Sequence, residues 1–309
     1  MDIAIMIEGQ DGLTWERWKR IAHAVEDLGF AGLYRSDHFT NHNPPEKESL
    51  ELWISLAWLA SHTERIDFGP LVTPASFRHP VFTAWMAKEV DALSEGRLVL
   101  GLGAGWQARE HQAFGFDLLP IDERFDRFQE ALEVITRLLR ADRPVDYNGM
   151  YYRLNTATLR PRPLETGRPP ILIGGNGPIY TLPLVVQYAD EWNGVYITPH
   201  RFFELNQELE TLLKKAGRSS HKVRRSLMSG LVFGQNQAEL ENRLQQRGAS
   251  AEELRAQGII VGVEDEIVEQ VLAFANAGVQ RIMLQWLFLD DLDGLECLAE
   301  LLFPAVSAT

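Results

Sequence analysis

The run Ser36-Asp37-His38-Phe39 follows an apolar stretch, Phe30-Ala31-Gly32-Leu33-Tyr34, and so puts an imidazole and a carboxylate where a buried strand stops. Histidine titrates near neutral pH and can hold or accept a proton where most side chains cannot. Neighbouring side chains on an extended chain point opposite ways, so Asp37 need not touch His38. Two readings stand: an acid/base pair delivered to the mouth of a barrel, or a histidine that bonds a loop carbonyl. A second group of residues, Gly174-Gly175-Asn176-Gly177, joins the apolar run Ile171-Leu172-Ile173 to a helix opened by Pro178. Backbone N–H groups at such a helix start make an anion site, and glycine permits the close approach. The alternative is an ordinary tight turn.

Gly101-Leu102-Gly103-Ala104-Gly105 looks like half of a dinucleotide fingerprint, but lacks its spacing and lies on the fourth strand rather than the first. It reads either as room for a bulky planar group or as close packing of strand on helix. His38 and His42 are four apart, yet Phe39-Thr40-Asn41 and the following prolines argue for a loop, and no third ligand is near; no metal is expected. Arg78-His79 could bind an anion or solvate a loop. Neither a Ser-His-Asp arrangement nor a Gly-x-Ser-x-Gly elbow occurs, so acyl transfer has no support.

These residues need a large core to hold them. The chain has 309 residues, 45% of them hydrophobic and 24% charged, which suits either two domains or one closed α/β barrel. The net charge of −13 is spread along the sequence, against a nucleic-acid or anionic-membrane partner. A single cysteine, Cys297, in an apolar helical stretch, allows no internal disulfide and is read as packing. The N-terminal apolar run is too short for a signal peptide and has no basic flank, and nothing approaches a membrane span; a cytoplasmic protein is expected.

Strand and helix alternate. Ile3 to Ile7 is a strand, followed by a helix capped at Thr14, with apolar residues at Trp18, Ile21, Ala22 and Val25, and closed by Gly29. The second strand ends at Ser36-Asp37-His38, and a helix runs from about Leu50 to His62. Ile66 to Thr73 is strand three, and Pro80 opens the next helix. Strand four is Leu98 to Gly103. The irregular part, Ala104 to Pro170, holds a long amphipathic helix and a hairpin at Asn148-Gly149, then prolines 161, 163, 169 and 170. It is read as an insertion between strands four and five that lies over the barrel as a lid. Strands five to eight follow near Ile171, Trp192, Ser226 and Arg281. Eight strands, each with a helix, define a single-domain (β/α)8 TIM barrel over residues 1–309, with a doubly wound sheet as runner-up.

A barrel's active site lies at the C-terminal ends of its strands. Here those ends are Glu8-Gly9, Asp37-His38, Thr73 to Arg78, Gly103 to Trp106, Gly174 to Gly177, Tyr196-Ile197-Thr198 and Gln285-Trp286. Glycine, aromatic and uncharged polar residues predominate, which fits a flat, largely apolar ligand.

With these residues in place the chain resembles the luciferase-like oxidoreductases, which use FMN or the deazaflavin coenzyme F420. The resemblance is densest at Ser36 to Phe39, Thr73 to Pro80, Leu93 to Gly115, Ile171 to Gly177 and Tyr188 to Asn193. It implies a ring resting on strand three around Pro70, Leu71, Val72 and Thr73, where relatives often carry a non-proline cis peptide. It implies a cofactor phosphate at Gly174, Gly175, Asn176 and Gly177, with Gly105, Trp106 and Gln107 bordering the ring. His38 is then the proton donor or acceptor and Asp37 orients its loop. The chemistry implied is hydride transfer or oxygen insertion on a small, rather apolar substrate. A homodimer is implied too, with a separate flavin reductase as partner in the FMN case; the faces around Trp53 to Trp58 and Val81 to Met86 could form the interface. An oligoglutamate tail on F420 would want basic residues at the rim, for which Arg35, Arg78, Arg109 and Arg162 are candidates. Sugar-phosphate dehydrogenases of this family carry glutamate directly after Gly-x-Gly-x-Gly. Here that position is Trp106, which disfavours a sugar phosphate. A flavin-binding barrel without catalysis and a metal-dependent hydrolase are the competing expectations.

Overall fold

The computed structural model describes residues 1–161 and 169–307. Eight parallel staves form a cylinder. The first half comprises β1 (Asp2–Ile7), α1 (Trp15–Asp27), β2 (Gly32–Arg35), α2 (Leu52–His62), β3 (Asp67–Pro70) with β4 (Thr73–Pro74), and α3 (Pro80–Leu93). Then come β5 (Leu100–Gly103), α4 (Ala108–Phe114), α5 (Ile121–Arg140) and the antiparallel hairpin β6 (Val145–Asn148) and β7 (Arg153–Ala157). The second half has β8 (Ile171–Gly174), α6 (Thr181–Tyr188), β9 (Glu191–Val195), α7 (Pro199–Lys215) and β10 (Arg224–Phe233). It ends with α8 (Gln237–Arg247), α9 (Ala251–Ala256), β11 (Ile260–Gly262), α10 (Glu264–Asn276), β12 (Arg281–Gln285) and α11 (Leu292–Ser307). The order around the sheet is β3-β2-β1-β12-β10-β9-β8-β5-β4, and since β3 and β4 are two halves of one stave the ring closes. This is the (β/α)8 barrel expected. Two details differ: strand three is interrupted at Leu71-Val72, and the short β11, hidden in sequence between helical stretches, adds beside β10.

Period-two alternation sorts every stave into two faces. Ile3, Ile5 and Ile7 of β1, with Ile282 and Leu284 of β12, point outward into the layer packed by the helices, where Trp18, Phe68, Trp192 and Phe202 are also buried. Ala4, Met6, Tyr34, Leu71, Val99, Leu172, Met228 and Met283 point inward and fill the cylinder. At its N-terminal end Arg281 plugs the bore, paired with Asp67 at 2.6 Å. The same alternation carried past the strand ends sends Glu8, Ser36, His38 and Gln285 inward and upward.

The seam between stave three and β5 is closed by glycine. A Cβ on Gly101 would lie 2.0 Å from the Pro70 carbonyl oxygen and 3.1 Å from Cγ1 of Val72, and one on Gly69 would lie 1.9 Å from the Val99 carbonyl oxygen. The Leu71-Val72 peptide is cis, and the Val72 side chain enters a dent bounded by Gly101, Gly103 and Gly174. So the glycine run on strand four serves strand-to-strand contact around Val72.

Within 104–170, α5 packs between α3 and α6 as the fourth barrel helix. The hairpin lies on α5, not over the mouth: the Glu130 carboxylate accepts from the N–H groups of Met150 (2.7 Å), Tyr151 (2.9 Å) and Tyr152 (3.2 Å). Those contacts open the expected Asn148-Gly149 turn into a loop of four residues between Asn148 and Arg153. Among the described residues no helix is long and apolar enough to cross a membrane.

Replacing Gly101 by Ala should destabilise the protein by about 2 kcal/mol, since the added methyl meets backbone rather than a yielding side chain. Chemical denaturation with the midpoint unchanged would show that the seam is not closely packed.

Candidate active site

A cavity of about 590 Å³ opens at the C-terminal ends of the staves. Its floor is Leu71, Val72 and Met228; Glu8, Tyr196 and His38 stand around it, and Ile121, Arg124 and Phe125 from the first turns of α5 close one side. The lining is mostly apolar, as a flat ring would need.

His38 reaches the cavity at the end of β2, and it is not alone. Its Nδ1 lies 2.7 Å from Glu110 Oε1, while Glu110 Oε2 accepts the Phe39 backbone N–H at 3.0 Å. One carboxylate on α4, itself buried, thus fixes both the ring and the backbone that follows it. Nδ1 is committed to Glu110, which leaves Nε2 for a ligand. Burial works against charge on His38, but the bond and field of Glu110, with smaller contributions from Glu8 and Asp37, outweigh it and hold the imidazole above its ordinary pKa. Burial likewise opposes charge on Glu110, but the His38 bond and the Phe39 amide prevail and hold its carboxyl below the usual range. The Trp106 ring stands edge-on to His38 at 5.6 Å and stacked on His42 at 5.7 Å, so His42 packs on an indole. Among the described residues no three His, Cys, Asp or Glu side chains gather as a metal site.

The glycine turn after β8 opens into the same cavity through Gly174, Gly175 and Thr181. Gly175 has φ of 134°, and its N–H and carbonyl are held by the Asn193 carbonyl (2.9 Å) and the Trp192 indole (2.9 Å). A Cβ on Gly175 or on Gly177 would lie 3.1 Å from Thr181 Oγ1, which is space that a phosphate oxygen could use. The N–H groups of Asn176 and Gly177 have no hydrogen-bond partner among the described residues. The Asn176 side chain is spent elsewhere: it bonds the Val195 carbonyl (2.7 Å) and N–H (2.9 Å), tying β8 to β9.

Several expected site residues serve from behind the cavity. Asp37 points outward, as alternation demands, and pairs with Arg78 while accepting from Thr73 Oγ1; it orients the loop and does not face the ligand space. Pro70 gives its carbonyl to the Gly101 seam. Gln107 is buried and donates to the Thr40 carbonyl at 3.0 Å. Gly105 and Trp106 do line the mouth, and so do Leu71 and Val72. Of the candidate rim arginines, the structure removes Arg35 from the rim. Arg35 is fully buried against Ser55 and the Leu50 carbonyl, Arg78 is held by Asp37 and Glu51, and Arg109 pairs with Glu46; Arg162 lies outside the described residues. His79 caps α3, its Nδ1 accepting the Val81 N–H at 3.3 Å. Among the described residues Arg124 is the arginine that lines the cavity, and it donates to the carbonyls of Leu119 (3.0 Å) and Gly105 (3.0 Å). Glu110, Arg124, Phe125 and Thr181 were not foreseen, since none stands at a strand end.

The model of the luciferase-like monooxygenase family matches residues 4–251, and the chain belongs to that family. Among curated relatives, an F420-dependent glucose-6-phosphate dehydrogenase of Microbacterium testaceum is 32% identical over 208 residues, covering 64% of this chain and 59% of that protein. A 5,10-methylenetetrahydromethanopterin reductase of Archaeoglobus fulgidus is 33% identical over 200 residues, covering 63% of this chain and 54% of that protein. The chain therefore spans somewhat over half the length of these two relatives. A solved F420-dependent secondary alcohol dehydrogenase, in complex with an F420-acetone adduct, superposes with a TM-score of 0.86 at 19% identity, covering 99% of this chain and 98% of that one.

The Glu110 contact predicts a spectroscopic result. In Glu110→Gln the His38 imidazole should titrate at lower pH than in the wild type, because burial then acts without its main opponent. A pKa raised by folding stabilises the fold below the unfolded-state value, and that contribution is lost as pH rises through the folded value. The variant should accordingly lose most stability on the acid side of neutrality. Imidazole NMR showing an unmoved His38 titration would refute the coupling.

Proposed function

We propose that this chain is a flavin- or deazaflavin-dependent oxidoreductase whose ring lies in the cavity and whose proton-handling group is His38. One observation carries the reading: an imidazole fixed at Nδ1 by a buried glutamate presents its other nitrogen to an apolar cavity walled by Gly174 and Gly175, whose turn continues into the free N–H groups of Asn176 and Gly177 just behind that wall. The residues fit the cofactor. Leu71 and Val72 would support the ring, and Thr181 with the Asn176 and Gly177 amides would hold its phosphate. When bound, the cofactor supplies two-electron chemistry, as hydride transfer or oxygen activation. The chain's part is to hold the ring against Val72, to exclude water with Phe125 and Trp106, and to hold or release a proton at Nε2 of His38.

The relatives named for F420 dependence favour the deazaflavin. FMN would require a separate reductase. Against the glucose 6-phosphate of the named relative stand Trp106 at the position after the glycine run and an arginine, Arg124, already engaged with two loop carbonyls. A small, less polar substrate fits better. A cytoplasmic location accords with the single cysteine.

Fluorescence titration with F420 and with FMN tests the cofactor. Gly175→Ala, whose methyl would enter the space beside Thr181 Oγ1 where the phosphate would lie, should weaken FMN about tenfold while barely changing riboflavin, which has no phosphate. His38→Ala should lower turnover by roughly 10²–10⁴ with cofactor affinity kept. Absence of binding by either cofactor would remove the proposal, and an unchanged rate would remove His38 from it.

We also propose a homodimer formed through α2 and α3, where Ile54, Phe82, Trp85 and Leu93 are exposed side chains on adjoining helices. Light scattering should give twice the chain mass for the wild type and the chain mass for Phe82→Asp with Trp85→Glu. A monomeric wild type would exclude the dimer.

A further inference from the structure

Arg78-His79, a candidate anion pair in the sequence, borders a second cavity of about 340 Å³ that shares no lining residue with the mouth. It lies on the side of α3 turned to α5, between the loop that leaves β4, Arg127 of α5, and Tyr151 and Tyr152 of the hairpin loop. The chain carries 43 acidic against 30 basic residues, yet among the described residues no carboxylate lines this cavity. The nearby Glu130 carboxylate is turned to the hairpin amides. Glu123 and Asp126, whose charge is felt at Tyr151, do not line the cavity.

What does line it is a set of hydrogen-bond donors. Arg127 Nη2 donates to the Asp117 carbonyl at 2.9 Å, and among the described residues the guanidinium makes no ion pair. Arg78 differs, its charge being met by Asp37 and Glu51. His79 accepts the Val81 N–H at Nδ1, so its proton sits on Nε2, and burial holds the imidazole below its ordinary pKa and therefore neutral. Burial pushes the Tyr151 and Tyr152 phenols up, so both keep their protons, and among the described residues neither hydroxyl has a partner. His79 also caps α3, a helix of 14 residues whose positive end adds to the pull on an anion. Ser76 closes the wall towards the mouth. His111 Nδ1 lies 2.7 Å from the Gln107 carbonyl, which can only accept, so its Nε2 receives the Ser76 hydroxyl at 2.7 Å.

We propose that this cavity is a second ligand site, and that it takes a carboxylate or phosphate carried on a flat aromatic body. The uncommitted fork of Arg127 matches an oxyanion, and the His79 N–H and the two phenol hydroxyls offer it further donors. The rings of Phe77, Tyr151 and Tyr152 give the body its apolar surface. An ammonium placed here would meet donors only. The proposal stands apart from the oxidoreductase reading, since nothing in it needs the mouth to be occupied. Through Ser76 and His111 the second site touches the wall of the first.

The probes are benzoate and phenyl phosphate, with benzamide and benzylamine as their neutral and cationic counterparts. Each is titrated into the full chain near neutral pH and followed by ligand-observed NMR. The two anions should bind about tenfold tighter than benzamide, the gain from a charge-assisted bond, and benzylamine weakest. Arg127→Gln should abolish that advantage and Tyr152→Phe should reduce it. Arg109→Gln, which removes a guanidinium paired with Glu46, should leave it intact. Benzoate should shift the imidazole signals of His79 and His111 and leave that of His38 in place, and saturating FMN should not displace it. Equal binding of benzoate and benzamide, no binding of any probe, or an advantage that survives in Arg127→Gln would overturn the proposal. Displacement by FMN, or a shift at His38 in place of His79, would put the anion in the mouth and overturn it too. Displacement by F420 but not by FMN would make the cavity a seat for the cofactor's acidic tail and end its claim as a separate site. Failure of both cofactors to bind, with the benzoate preference intact, would count against the oxidoreductase reading alone.

Discussion

Val72 seated among glycines is the constraint on which the rest of the mouth depends. Side chains on Gly101, Gly103 and Gly174 would occupy the space its isopropyl group fills, so three strands can converge there only because they carry none. That convergence closes the barrel between its third and fourth staves. It also gives the cavity an apolar floor flush with the strand ends, rather than a deep shaft. Everything that faces a ligand stands around this floor: His38 from β2, the glycine turn after β8, Tyr196 after β9 and Glu8 after β1. A larger side chain at any of the three glycines would move the floor and the walls together.

On that floor the charges are arranged asymmetrically. On one side a carboxylate, Glu110, supports an imidazole and so favours a group able to give up a proton. On the other, Glu8 is itself supported by amides and faces the cavity as an acceptor. Two buried or half-buried carboxylates are thereby given opposite tasks by what donates to them. Arg124 contributes by holding the Gly105 carbonyl, and this keeps Trp106 beside His38.

The barrel was legible because strand and helix periods alternate with short connections, and alternation within strands separates Tyr34, Ser36 and His38 from Leu33, Arg35 and Asp37. That rule frees Asp37 from contact with His38, and the structure carries it further by turning Asp37 away from the cavity to pair with Arg78. What sequence hid were residues placed by helices. Glu110 lies one turn along a short helix, so its approach to His38, 72 positions away, depends on how α4 docks. Arg124 and Phe125 belong to a helix whose amphipathic pattern marks its buried face and not its end. Thr181 is an unremarkable helix-start residue until Gly175 and Gly177 are seen to pack on it. Arg35 looked like rim charge because nothing local reveals that Ser55 and the Leu50 carbonyl receive it.

The pairing of β1 with β12 carries a temporal meaning. Asp2 through Met6 find their partners at Arg281 through Gln285, and the Glu8-Gln285 bond joins positions 277 apart. As the chain emerges from the ribosome, the first stave must wait on one side until nearly the whole polypeptide has been made. The imidazole side of the mouth, built from β2, α4 and β5, can assemble early. The Glu8–Gln285 side is completed last, so a nascent chain acquires the imidazole half of its mouth well before the opposite half.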